Sequence, residues 1–149
     1  MLYGSSMEMA LRILLLLFAD RDESYSLNRI IYYDFIVTYG RYFGVSEENL
    51  HGENDYGFGE LARRRKYATL AIKELVIRRL VEVHESEKGF YYQISEEGLM
   101  SAKSLSTEYA KAYRLYADVV TFRYKNFTDH KVMQSIDASS KMMLRGGEV

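Results

Sequence analysis

The sequence predicts a mainly α-helical chain with a small β-hairpin, arranged as a winged helix followed by a long C-terminal helix and a short last helix. Three observations carry this. Apolar residues recur at helical spacing through most of the chain. Proline, which usually stops helices, is absent from all 149 residues. One stretch, "LVEVHE" and "FYYQI" around "SEKG", alternates instead with period two, the signal of a hairpin. Helix, helix, loop, helix, hairpin is the winged-helix order. It gives a winged-helix domain over residues 1–95 and a helical extension over 96–149, which is either part of the same compact unit or an arm for a partner.

Ser5 and Glu8 form a capping box that opens the first helix, which runs to about Ala19. After Arg12 this helix is apolar on nearly every side, as a core helix is. "DRDES" is a polar turn, and Ser26 caps a second helix to about Tyr39. Its apolar stripe is Leu27, Ile30, Ile31, Phe35 and Thr38, interrupted by Asp34. Gly40 stands where a helix-ending glycine would. The loop from Arg41 to Gly59 is longer than the usual 4–6 residues or so. A third helix, about Glu60 to Arg79, turns Leu61, Ala68, Ile72, Leu75, Val76 and Leu80 inward. After the hairpin, Ser95-Glu96-Glu97 starts a fourth helix that continues to about Asn126, roughly 45 Å. Thr128-Asp129 starts the short last helix, and "RGGEV" is a frayed end.

At 48% hydrophobic and 28% charged, the chain is globular. It has no cysteine, which excludes disulfides and thiolate chemistry and fits a reducing cytoplasm. The apolar run Ile13 to Ala19 is far short of the roughly 20 residues that span a bilayer. Glu8 and Arg12, with no basic region before them, argue against a secretory signal. A cytoplasmic protein with no membrane attachment is expected.

A DNA-reading role has one positive sign and three negative ones. "ARRRK" places Arg63, Arg64, Arg65 and Lys66 in the first turns of the third helix, a candidate nucleic-acid contact. The formal net charge, however, is −1, where free-standing nucleic-acid binders are usually basic. The joint before the third helix is long, where a DNA-binding helix-turn-helix has a turn of about 3–4 residues. The hairpin carries Glu82, Glu85 and Glu87 against Lys88, and acids repel phosphate. Cations at a helix start also oppose its macrodipole by about 0.3–1 kcal/mol each, so a compensating anion is required. Asp34, on an otherwise apolar face, needs a cation in turn. Arg64 or Arg65 is expected to meet it, by a bidentate pair.

No catalytic, cofactor or metal constellation stands out. His51, His84 and His130 lack metal-ligand spacing. His51 lies in the long loop, where packing or hydrogen bonding explains it better than catalysis. "GENDYGFG" is glycine-rich but does not follow a strand, and no P-loop sequence is present. The chain reads as a non-enzyme.

The fourth helix carries Leu99, Ala102, Leu105, Tyr109, Ala112, Tyr113, Tyr116, Val119 and Val120 at 3–4 spacing. A helix of that length exceeds its own domain, and tyrosine is enriched at interfaces. Tyr109, Tyr113, Tyr116 and Val120 are therefore expected to bind a partner subunit or a second copy of the chain. The plainer reading folds the stripe back onto the core.

"YSLNRIIYYDFIVTY", "NLHGEN" and "FGELARRR" together resemble the middle component of ABC-three-component systems. The matching positions are Asp34 and Phe35, Leu50 and His51, Gly59, Glu60 and Leu61, and Arg64 and Arg65. "GFYYQISEEG", Gly89 to Gly98, continues the likeness, which covers about Ser26 to Gly98. The chain is also similar to the small accessory subunit of Lamassu-type anti-phage defence complexes. The resemblance implies a non-catalytic subunit that docks on an SMC-like ABC ATPase and helps to restrain or position an effector, usually a nuclease. DNA would then be met only through the complex. The alternative is a dimeric winged-helix transcription regulator with Arg63 to Lys66 on phosphate.

Overall fold

The computed structural model describes residues 5–51 and 58–146. These form α1 (Ser6–Ala19), α2 (Leu27–Thr38), a 3-10 turn (Gly40–Phe43), α3 (Phe58–Ile77), β1 (Val81–Ser86), β2 (Gly89–Ile94), α4 (Glu96–Ser104), α5 (Glu108–Arg123) and α6 (Asp129–Gly146). The class is the expected one, mainly helical with a two-stranded antiparallel hairpin. Most of "GENDYGFG" and the end of "RGGEV" lie outside the described residues.

The apolar composition of α1 makes it the centre. Met9, Ile13, Leu14, Leu15, Leu16 and Leu17 are buried, and α2, α3, α4 and α5 all pack against it. Each such side chain contributes about 1.5–3 kcal/mol by leaving water. Ser5 Oγ accepts the Glu8 N–H at 3.2 Å and Ser26 Oγ accepts the Arg29 N–H at 3.0 Å, so both caps act where the sequence places them. Gly40 directly follows Tyr39, the C-cap of α2, but without a left-handed backbone. It opens the 3-10 turn, and Gly44, at φ 67°, supplies the left-handed residue that closes that turn.

The hairpin pairs Val81 with Ile94, Val83 with Tyr92 and Glu85 with Phe90. Tyr25, between α1 and α2, adds a bridge to Tyr92 through two backbone bonds of 2.9 and 2.8 Å. That stub of a third strand is compatible with the winged-helix order. The turn from α3 into β1 is fixed by Ser95. Its N–H donates to Leu80 O at 3.0 Å and its hydroxyl to Arg79 O at 2.7 Å. Gly98 is required there, because a Cβ would stand 2.1 Å from Leu80 O.

Two expectations about the C-terminal part need correction. The long fourth helix is two helices. α4 stops at Ser104, and Thr107 caps α5 by accepting the Ala110 N–H at 3.1 Å. A threonine side chain that bonds the backbone this way competes with helix continuation. The break lets α5 lie along α1 and α2. The last helix, in turn, is not short but 18 residues long. Its start is fastened to α2, with Asp129 accepting from Arg29 at 2.6 Å and from Ser26 at 2.7 Å.

Candidate functional site

Asp34 lies on the inner face of α2, fully buried. Arg12 from α1, Arg64 from α3 and Tyr113 from α5 converge on it. Its Oδ1 accepts from Arg12 Nε at 3.0 Å and from the Tyr113 hydroxyl at 2.7 Å. Its Oδ2 accepts from Arg64 Nη1 at 2.6 Å and from Arg12 Nη2 at 3.3 Å. A carboxylate has about four acceptor positions, and all are filled by protein. Arg64 also reaches Thr38 Oγ1 at 3.0 Å and Glu60 at 3.1 Å, and lies over the rings of Phe35 and Tyr39. Two arginines thus face two carboxylates, Asp34 and Glu60, and the formal charges cancel. Burial alone would raise the Asp34 carboxyl, but Arg12 and Arg64 outweigh it and hold the group well below the usual carboxylate range.

His51 extends the hub. Its backbone N–H donates to Thr38 O at 3.3 Å, where α2 ends, and its Nε2 is 2.8 Å from the Tyr109 hydroxyl on α5. Burial, and then the nearby Arg12 cation, push the imidazole down to about 3, so it is neutral at physiological pH. Burial likewise raises the Tyr109 and Tyr113 phenols above their ordinary value. These groups are held in fixed protonation states and bonded to one another. The arrangement can lock four helices and a loop together. Among the described residues, no group of three His, Cys, Asp or Glu side chains is placed to hold a metal ion.

The residues singled out in the sequence divide cleanly. Asp34, Phe35, His51, Glu60 and Arg64 meet in or beside the hub. Leu50 and Leu61 pack against the core from its edge, and Gly59 is exposed in the first turn of α3. The basic run is split. Arg64 is only 5% exposed and turned inward, which corrects its place in a nucleic-acid contact. Arg65 is exposed and bonds Asn28 at 2.7 Å instead of Asp34. Arg63 pairs with Glu60 at 2.8 Å, and Lys66 is exposed. The partner-binding stripe needs correction too. Tyr113 and Val120 are 0% exposed, so a docked subunit cannot touch them. Tyr109 and Tyr116 are half-buried against the core.

Sequence reasoning missed two features. Arg12, an arginine within an apolar helix, is a second counter-ion to Asp34. α5 also carries an outward apolar stripe, Ala112, Leu115, Val119 and Phe122, at 3-4-3 spacing. That stripe lies on the face opposite Tyr113, Ala117 and Val120, and Leu115 is 61% and Phe122 82% exposed.

No helix among the described residues is long and apolar enough to cross a membrane. The family model described as ABC-three component (ABC-3C) system Middle Component 2 matches residues 2–145. No curated protein and no solved structure matches the chain.

Proposed function

The chain belongs to the Middle Component 2 family of ABC-three component systems, and from that premise we propose that it is a non-catalytic accessory subunit which docks on an SMC-like ABC ATPase and helps to restrain or position an effector. In a Lamassu-type anti-phage complex that effector would be a nuclease. A middle component implies partner subunits, and the polar residues of this chain that look most like a reactive centre are all committed internally. They build a rigid body, and rigidity favours docking by limiting the entropy lost on binding.

The observation that carries the proposal is the outward stripe of α5. A solvent-facing helix side normally presents polar residues, yet Leu115 and Phe122 stand in water one heptad apart. Half-buried Ala112 and Val119 complete the seam. Seams of this spacing pack against another helix. The test is affinity purification of the tagged chain from its native operon, with the copurified proteins identified by mass spectrometry. Recovery of the ATPase and effector subunits in fixed ratio is expected, and recovery of the chain alone overturns the proposal.

The regulator reading retains the exposed Arg63, Arg65 and Lys66 but loses Arg64 to the core. It requires duplex affinity that falls steeply with salt, by a log–log slope of about −0.9 per phosphate contacted. The acidic Glu82, Glu85 and Glu87 of the hairpin are all exposed and act against such binding.

A further inference from the structure

β1 is an edge strand. β2 lies between it and Tyr25, and among the described residues no strand pairs with its other side. The direction of its backbone groups follows from Tyr92. That residue bonds Tyr25 through both its N–H and its C=O, at 2.8 and 2.9 Å, so both groups point away from β1. The opposing pair, Val83 and Tyr92, is therefore of the non-hydrogen-bonded kind. Val83 then turns its own N–H and C=O outward, away from β2. By the two-residue alternation of a strand, so does Glu85.

Of the residues of β1 only Val81 is buried, and Val83 is 43% exposed. Edge strands are usually blunted by a bulge, a proline or charge. β1 pairs with β2 without a bulge, and the chain has no proline. Its protection is charge. Glu82 and Glu85 are exposed, and neither forms an ion pair among the described residues. A recess of about 770 Å³ lies beside the strand, between the end of α3 and the start of α4. Val76, Val81 and Val83 give it an apolar wall, and Glu82, Glu96 and Glu97 line it against one cation, Arg79. Glu96 and Glu97 also offset the macrodipole of α4, so the sign of the edge rests on Glu82 and Glu85.

We infer that β1 takes up an extended basic segment of a partner subunit as an added strand. The outward N–H and C=O groups of Val83 and Glu85 supply the ladder, and the side chains beside them select the guest. Opposite charges across a strand pair attract and like charges repel. A second copy of this chain would bring Glu82, Glu85 and Glu87 to the seam from both sides, so the acids that prevent self-pairing admit a basic guest. A helix cannot complete the ladder, because its own backbone groups are already bonded. Duplex DNA is repelled by the same acids. Side chains alternate between the faces of a strand. The guest should therefore place an apolar residue beside Val83 and a lysine or arginine beside Glu82. The inference rests on the accessory-subunit reading and names a second docking surface of that subunit, separate from α5.

The test uses the complex purified from the native operon. A photo-crosslinking benzoylphenylalanine replaces His84, which is exposed on β1, and the crosslinked segment is identified by mass spectrometry. Two variants accompany it. Val83→Pro deletes an outward N–H and leaves the bonds to β2, a place where strands accept proline. Glu82→Lys combined with Glu85→Lys reverses the charge at two exposed positions. Both are checked for fold by circular dichroism and compared for partner recovery. The expected crosslink lies in a partner segment with more bases than acids and apolar residues at alternate positions. At least one variant should stay folded and lose that partner on the order of tenfold. If the wild-type complex assembles but the crosslink falls in an acidic segment, in DNA, in a second copy of this chain or nowhere, the edge inference is wrong and the subunit reading stands. The same holds if the variants that fold retain the partner at the wild-type level. Should neither variant fold, the crosslink decides alone. A chain that purifies alone refutes the subunit reading and the edge inference with it.

Discussion

Arg12 Nε stands 3.0 Å from Asp34 Oδ1, and the two side chains are 2% and 0% exposed. Arg64 closes on the other oxygen of the same carboxylate. Removing the anion strands two buried guanidiniums. Asp34→Ala is expected to cost about 3–5 kcal/mol, the usual penalty for breaking a buried pair from one side. Urea unfolding measures it as a shift in midpoint. An unchanged midpoint would show that the hub is not holding the helices.

Tyr113 contributes a charge-assisted hydrogen bond to that hub from α5. Tyr113→Phe keeps the ring and deletes the hydroxyl, leaving Asp34 one donor short. A loss of about 1.5–3 kcal/mol is expected, with the fold retained by circular dichroism. A neutral substitution would mean that water replaces the hydroxyl and that the site is less closed than its 0% exposure states.

The pairing of Asp34 with Arg64 is legible in the sequence because a lone acid on an apolar stripe requires a counter-ion, and arginines stand one helix later. Arg12 is concealed, because it stands just before the stretch of α1 that is apolar on nearly every side, where a solvated cation fits the pattern as well as a buried one. The starts of α1, α2 and α4 are legible from Ser5, Ser26 and Ser95. The break between α4 and α5 is concealed because Leu99, Ala102, Leu105, Tyr109 and Tyr113 keep 3–4 spacing straight through it. Both helices bury the same phase of one pattern, and only the Thr107 cap marks the joint. The tyrosines mislead for a related reason. A hydroxyl suggests a wet rim, but Tyr113 and Tyr109 spend theirs on Asp34 and His51 inside. The outward stripe of α5 interleaves with the inward one, and the bolder aromatic residues mask it.

His51 makes stability depend on pH in a defined direction. Its folded value is about 3 against an ordinary 6.5. Between those limits the unfolded chain binds a proton that the folded chain refuses, so stability is full above about pH 6.5 and falls as pH decreases. Asp34 and Glu60 are lowered as well, from ordinary values of 3.8 and 4.5, so their contributions are lost mainly below the range from pH 7 to 5. From pH 7 to 5 the wild type should lose about 1–2 kcal/mol, allowing for the partial burial of His51. His51→Gln should flatten that slope in melting curves taken across the range. An equal slope in both proteins would place the titrating group elsewhere.

Gly98 sits where α4 presses on the turn between α3 and β1. A methyl group would meet Leu80 O at 2.1 Å and Ile94 Cγ1 at 2.7 Å, and the first of these is backbone. Gly98→Ala should therefore destabilise by about 2–3 kcal/mol, despite alanine's better helix propensity. Calorimetry that found the variant more stable would show that the α3–β1 turn yields easily.

The central claim, a rigid subunit that docks through its exposed apolar faces, is tested most directly by quantitative copurification of the α5 surface variants Leu115→Glu and Phe122→Glu from the native operon. Both side chains are mostly in solvent, so both variants should fold and melt as the wild type does. The account predicts that the wild type brings down its ATPase partner and that at least one variant loses it on the order of tenfold or more. Folded variants that both recover the partner at the wild-type level would contradict it.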